Sequence, residues 1–439
     1  MYLSVKHALR LKTAIILLSI LGILGLSISL WLKYTTRTAS PTFTYPPTNS
    51  KMVTDTSMGL LRGNPQGAKL AQTSPMIDFG LVDINPQRYG TEYGAWGNVV
   101  DGPDGKYYFG FGDHSSSQGG QNGSLLVSYD PRTKKHEILL FSKDLFGPKG
   151  EGKWHGRPDI NPSNGDMYLI GFYHGHVVHY NIYTKQTKDL GAPVPGSGWP
   201  EYTWDWQRQR LYGIGDGRGS VLVYDTENKR VIHQGPPVDS ITGNAFRWDT
   251  RARLLDREAG NLYGTDASNH LVKYDSKVNK FTILKSTLRS RLRAWTNQKD
   301  ADGAFWIFDD RGDIYKFYPE QDRIEYKRQN WGSRGWYTAF LERSPDGHYL
   351  YYSLSSPASS EGQPILQYNT QTNQIKVIAF LTNYYASVHD YQTTKIYGGA
   401  LNPDGSSLFV ISNGSVVNGP RMPSMFNIHI PPSEREGGT

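Results

Sequence analysis

Asn161-Pro162-Ser163-Asn164-Gly165-Asp166 leads into Met167-Tyr168-Leu169-Ile170-Gly171-Phe172, and Val177-Val178-His179-Tyr180-Asn181 follows shortly after. The first six residues read as a turn, because Pro, Asn and Gly each favour turn backbone for a separate reason. The two runs after it are short and rich in aromatic and branched residues, as strands are. The second run ends in a tyrosine followed by a polar residue. That ending recurs along the chain, and its aromatic anchors Tyr129, Tyr180, Tyr224, Tyr274, Phe317 and Tyr368 lie 43 to 51 residues apart. The opening turn recurs as well, in Asp101-Gly102-Pro103-Asp104-Gly105, Ser344-Pro345-Asp346-Gly347 and Asn402-Pro403-Asp404-Gly405. A repeat of that length, made of short strands and tight turns, matches one four-stranded blade of a β-propeller.

Seven second strands can be counted, but only six units carry the aromatic ending. The seventh unit, from Tyr397, has two strands and a third at 425–430. Its fourth is predicted to be the orphan strand 76–81, ahead of the first full unit. Closing the ring with strands from both chain ends leaves no open edge between first and last blades. The fold class is therefore all-β: a seven-bladed β-propeller over residues 76–432, followed by a tail at 433–439.

Residues 1–12 form a basic N-terminal segment with Lys6, Arg10 and Lys12. Residues 13–32 are uncharged and apolar. As a helix they would span about 30 Å, the thickness of a bilayer core. We expect a transmembrane anchor here, then a flexible Pro/Thr-rich spacer over 33–75. The expected protein is single-pass, with the propeller outside the cytoplasm, or secreted if the N-terminal segment is cleaved. The chain has no cysteine, which excludes disulfides and thiol chemistry. Its net charge of +7 is scattered, so nucleic acid is not an expected partner. A mild positive field suits an anionic carbohydrate or another anionic ligand.

In a blade, the start of the innermost strand and the end of the second lie at the same mouth of the central channel. Polar residues in these windows converge from different blades. Removing a proton beside a uronate carboxylate needs a cation, a base and a proton donor to the leaving oxygen. The candidates for these roles are His155 or His174 as base, Tyr202 as acid/base and Arg218 as neutraliser. Arg157, Trp199, Arg247, Arg293, Trp295, Arg334, Tyr337 and His114 are candidate substrate-binding residues, the tryptophans by stacking on sugar rings. His179, beside a blade-ending tyrosine, reads as structural. Arg311-Gly312-Asp313 reads as a hairpin turn.

The stretch Gly152-Lys153-Trp154-His155-Gly156-Arg157-Pro158-Asp159 and the spacing from Tyr202 to Arg218 resemble the seven-bladed-propeller polysaccharide lyases such as the ulvan lyases. That resemblance implies β-elimination on a uronate-containing polysaccharide, with His, Tyr and Arg acting at the propeller centre. An alternative is a non-catalytic, membrane-tethered propeller whose Arg/Trp rim holds a ligand or partner, since propellers host many functions. A third reading is metal-dependent elimination on a smaller cyclic substrate, as in streptogramin lyases. No cofactor is required by the sequence. Asp216, Asp266, Asp309 and Asp310 are nonetheless hard oxygen ligands suited to Ca²⁺ or Mg²⁺, and His114, His155 and His174 form a candidate three-His zinc set.

Overall fold

A computed structural model describes residues 52–90, 93–113, 123–147, 150–215, 219–331, 338–354, 362–416 and 421–435. The expected anchor at 13–32 and the candidates His114, Asp216, Arg218, Arg334 and Tyr337 lie outside the described residues. Seven sheets, antiparallel but for one short parallel strand at the rim of blade six, form the blades. The innermost strands are Tyr93–Asp101 in blade one, Glu201–Asp205 in blade three, Leu254–Asp256 in blade four and Leu292–Trp295 in blade five. Glu342–Arg343 and Tyr391–Leu401 are innermost in blades six and seven. Blade two has three regular strands, and its inner edge is reduced to one bridge between Ile160 and Met167. Pro158 lies in that edge and has no N–H to give a ladder.

The repeated turns have one physical basis. Gly105, Gly165, Gly347 and Gly405 all sit at φ between 73° and 77°. Only glycine enters that region without steric cost, so the Asp-Gly or Asn-Gly pair marks the link between first and second strands. The aromatic anchors also share one role. Tyr129, Tyr180, Tyr224, Tyr274, Phe317 and Tyr368 are all buried on third strands, where they pack between neighbouring blades. Phe409 of blade seven stacks on Tyr107 and Tyr129 of blade one, at 4.6 and 4.8 Å between ring centroids.

The ring closes as expected. Met76–Leu81 pairs antiparallel with Ser424–His429 as the fourth strand of blade seven. Asp78 on this strand is fully buried and gathers Lys134 Nζ at 2.7 Å from blade one, His429 Nε2 at 2.9 Å from blade seven and Thr54 Oγ1 at 2.6 Å. Burial alone would raise its carboxyl pKa, yet these three donors hold it well below the usual carboxylate range.

The outer layer differs from expectation. Residues from 52 to 75, read as spacer, lie against the body. Val53–Asp55 adds a fifth strand beside Met76–Leu81, and Lys69–Leu70 pairs parallel with Ile375–Phe380 at the rim of blade six. Met52, Leu60 and Ala71 are buried there. The described residues of the expected C-terminal tail, 433–435, are docked too. Pro432–Arg435 forms a short helix whose buried Glu434 accepts from the Gln72 and Thr73 N–H groups and pairs with Lys376. Among the described residues, no helix is long and apolar enough to cross a membrane.

Candidate functional site

Blades two to five bring charged groups to one mouth of the channel. His155 is buried, and its Nδ1 lies 2.9 Å from both the Pro200 carbonyl and Glu201 Oε1. Both partners are acceptors, so Nδ1 carries the proton. Burial pushes the His155 pKa down to about 4, although Glu201 opposes the shift. Glu201, at the head of the inner strand of blade three, is itself buried. Burial would raise its pKa, but Arg253, His155 and Arg251 together bring it down to about 2. Arg253 Nη2 is 2.8 Å from it and Arg251 Nη1 is 3.4 Å away. The arc continues into blade five, where Arg291 bonds Asp310 at 2.5 Å and Asp249 at 3.3 Å. The Arg251 and Arg291 side chains are 38% and 55% exposed, so they are the parts of the arc that water and ligands reach.

Lys153 stands beside this group. It is buried, with its ammonium 4.5 Å from the centre of the Phe172 ring. Burial, aided by Arg251, lowers its pKa to about 7.

The sequence candidates separate into distinct environments. Tyr202 is not at the mouth. Its ring is buried in the core between blades two and three, and a Cβ on Gly156 would come within 2.4 Å of it. Burial raises its hydroxyl pKa well above the ordinary value. Its backbone carbonyl, not its ring, meets Arg157 N–H and Arg253 Nε. Trp199 is likewise a core pin rather than a sugar platform. It is buried, and it packs over Gly213, where a Cβ would approach the indole to 2.9 Å. Trp248 packs over Gly264 in the same way in the next blade. Trp295 is half-buried with the Arg253 guanidinium 5.6 Å from its ring.

His174 is exposed and lines a different cavity, of about 360 Å³, with Phe146, Glu151, His176 and Pro195. There the buried Glu151 carboxylate accepts the backbone N–H groups of Tyr173, His174 and His176. The structure does not bring His174 to His155. His176 pairs with Asp189 at 3.1 Å, and His179 with Asp166 at 2.7 Å. Arg247 is exposed in the excursion that follows the outer strand of blade three, and Arg293 is buried 3.8 Å from Asp310.

The metal candidates have other occupations. Asp266 accepts the Ser268 and His270 N–H groups, and Asp309 accepts those of Arg311 and Asp313, closing the turn expected at Arg311-Gly312-Asp313. Asp310 is paired with Arg291. Among the described residues, no group of three or more His, Asp or Glu side chains is arranged to hold a metal ion.

Sequence reading missed Arg251 and Arg253. The available signal was an Arg-x-Arg pair ahead of the inner strand, repeated at Arg291 and Arg293 forty residues on. Alternate residues of an extended segment share a face, so each pair is aimed together.

No protein-family model matches the chain, and no curated protein matches it in sequence. Solved structures do match it in fold. A chain of "Crystal Structure of Mitotic Checkpoint Complex" aligns at a TM-score of 0.51 and 11% identity, covering 90% of this chain and 99% of that one. "Structure of U3-55K" and "Crystal structure of RRP9 WD40 repeats" each align at 0.51 and 7% identity, covering 82% of this chain and 99% of theirs. The resemblance to polysaccharide lyases finds no support in these matches. At such identities they establish that the chain is a β-propeller built like WD40 propellers, and nothing of its chemistry.

Proposed function

We propose that this chain is a non-catalytic propeller that binds an anionic ligand or partner at the channel mouth of blades two to five. The carrying observation is how the charges at that mouth are used. The proton-transfer candidates do not meet at that mouth: His155 is neutral, buried and clamped to Glu201, Tyr202 is a buried core ring with a strongly raised pKa, and His174 is exposed in a separate cavity. A general base must reach the proton it removes. The exposed groups are instead guanidiniums, Arg251 and Arg291, which suit paired contacts to carboxylate, sulfate or phosphate oxygens. We further propose that residues 13–32 tether the propeller to a membrane with its body outside the cytoplasm, on the strength of an uncharged apolar run long enough to span a bilayer.

Titrating the protein with an acidic polymer such as polygalacturonate tests the binding reading. Saturable binding that weakens at least tenfold in an Arg251→Glu, Arg291→Glu double variant supports it. Turnover of the polymer to an unsaturated product, lost in His155→Ala or Lys153→Met, would restore the lyase reading in its place.

A further inference from the structure

Below the mouth, the channel holds two small cavities of about 30 and 20 Å³ that share Asn98, Arg157, Trp295 and Asn297 as lining. The larger is also lined by Thr203, Arg253 and Arg257, and the smaller by Glu342. Asn98 lies where the inner strand of blade one breaks register between Ala95 and Val99, and bulges of this kind re-aim side chains. Three guanidiniums therefore face a space the size of one or two waters. Arg253 is paired with Glu201, and Arg257 is spent on Asp159 and the Trp204 carbonyl. Arg157 bonds Asp159 through Nε alone, at 2.9 Å. Its two terminal nitrogens have no protein partner among the described residues, and neither do the Asn98 and Asn297 amides. Glu201 and Asp159 are the carboxylates ion-paired to these three arginines, while Glu342 and Asp101 act on Arg157 only at longer range.

We propose that this channel binds a single monovalent anion of halide size, held by the terminal N–H groups of Arg157 and the side-chain amides of Asn98 and Asn297. The site is built for an anion in three respects. The donors converge from blades one, two and five. The cavity is too small for a carboxylated sugar but holds about one water or one halide ion. The three arginines outnumber the two carboxylates ion-paired to them. The site is separate from the ligand proposed for the mouth, and either can fail without the other.

Glu342 makes the binding pH-dependent. It is half-buried and lines the smaller cavity. It faces Arg157 from blade two, Asp101 and Tyr107 from blade one and the Leu401 N–H from blade seven. Burial raises its carboxyl pKa to about 8, with Arg157 opposing and Asp101 adding to the shift. Below about 8 it is neutral and leaves Arg157 to the anion. Above that it ionises and competes for the same guanidinium, so anion affinity falls as pH rises.

The test uses bromide as probe on the full-length protein. Expected results are an anomalous bromide peak beside Arg157 in a crystal, and a saturable rise in Tm with bromide over gluconate at equal ionic strength. The rise should fade above pH about 8 in the wild type, persist there in Glu342→Gln, and shrink several-fold in Asn297→Leu. Density for water only, or an equal Tm response to bromide and gluconate, would overturn the proposal. So would an undiminished bromide effect in folded Asn297→Leu.

Discussion

His155 donates from Nδ1 to Glu201 and the Pro200 carbonyl, and burial keeps it neutral. In the unfolded chain it takes up a proton near its ordinary pKa of 6.5; in the folded chain it does so only near 4. Between those values the unfolded state binds more protons, so stability falls as pH drops through that window. Denaturant titrations from neutral pH down to about 4 should show this slope, and His155→Gln should flatten it. A slope unchanged by the substitution would place the effect on another group. Gly264 gives a second prediction at this scale. A Cβ there would sit 2.3 Å from the Trp248 indole, and overpacking of this kind costs about 1–3 kcal/mol. Gly264→Ala should lower the unfolding free energy by about that amount without changing ligand binding. The residue scale is also where the sequence misled most. Tyr202 and Trp199 have the chemistry of a sugar site, but Gly156 and Gly213 lie opposite their rings. Only backbone outside their own stretch, Gly156 of the preceding blade and Gly213 of the next strand, decides that these side chains are core.

Among the elements, the closing strand Met76–Leu81 was legible because its apolar alternation had no partner nearby and the last unit lacked a strand. The docking of residues 52–75 was not legible. Its elements are two to four residues long, too short to show a period, and the partners of Lys69–Leu70 and of Gln72 lie about 300 residues or more away. Blade four was misaligned for a similar reason. The excursion around Val238 and Ala245 delays its inner strand to Leu254, so the mouth window holds Arg251 and Arg253 rather than the candidate Arg247. The closure itself can be measured through Asp78, which joins blade one to blade seven. Hydrogen bonds to a charged group contribute about 1.5–3 kcal/mol, and without Asp78 the Lys134 and His429 side chains, 32% and 35% exposed, are left to water rather than buried. Asp78→Ala should show a loss of that order by chemical denaturation. Because the folded pKa of Asp78 is depressed, its contribution is present above about 3.8, the ordinary value, and lost on further acidification. The variant should therefore converge with the wild type in strong acid. A loss that stays constant down to strong acid would mean Asp78 acts by packing alone.

For the whole molecule, the repeat period set the blade size, the count of second strands with the orphan strand 76–81 gave seven blades, and the solved WD40-type propellers match that architecture across 82–90% of the chain. Function was less legible, because a mouth rich in His, Tyr and Arg reads the same whether those groups face a substrate or one another. The membrane tether can be tested by fractionation. The full chain should sediment with membranes and resist alkaline carbonate, and deletion of 13–32 should release it; a full chain that stays in the supernatant would rule the tether out. The claim that decides the account is that the mouth binds anions without turning them over. Calorimetric titration of wild type and the Arg251→Glu, Arg291→Glu double variant with polygalacturonate, followed by an ultraviolet scan for unsaturated product, tests it most directly. The wild type should bind saturably and salt-sensitively, the variant at least tenfold more weakly, and neither should release product. Accumulating product that disappears in His155→Ala would contradict the claim.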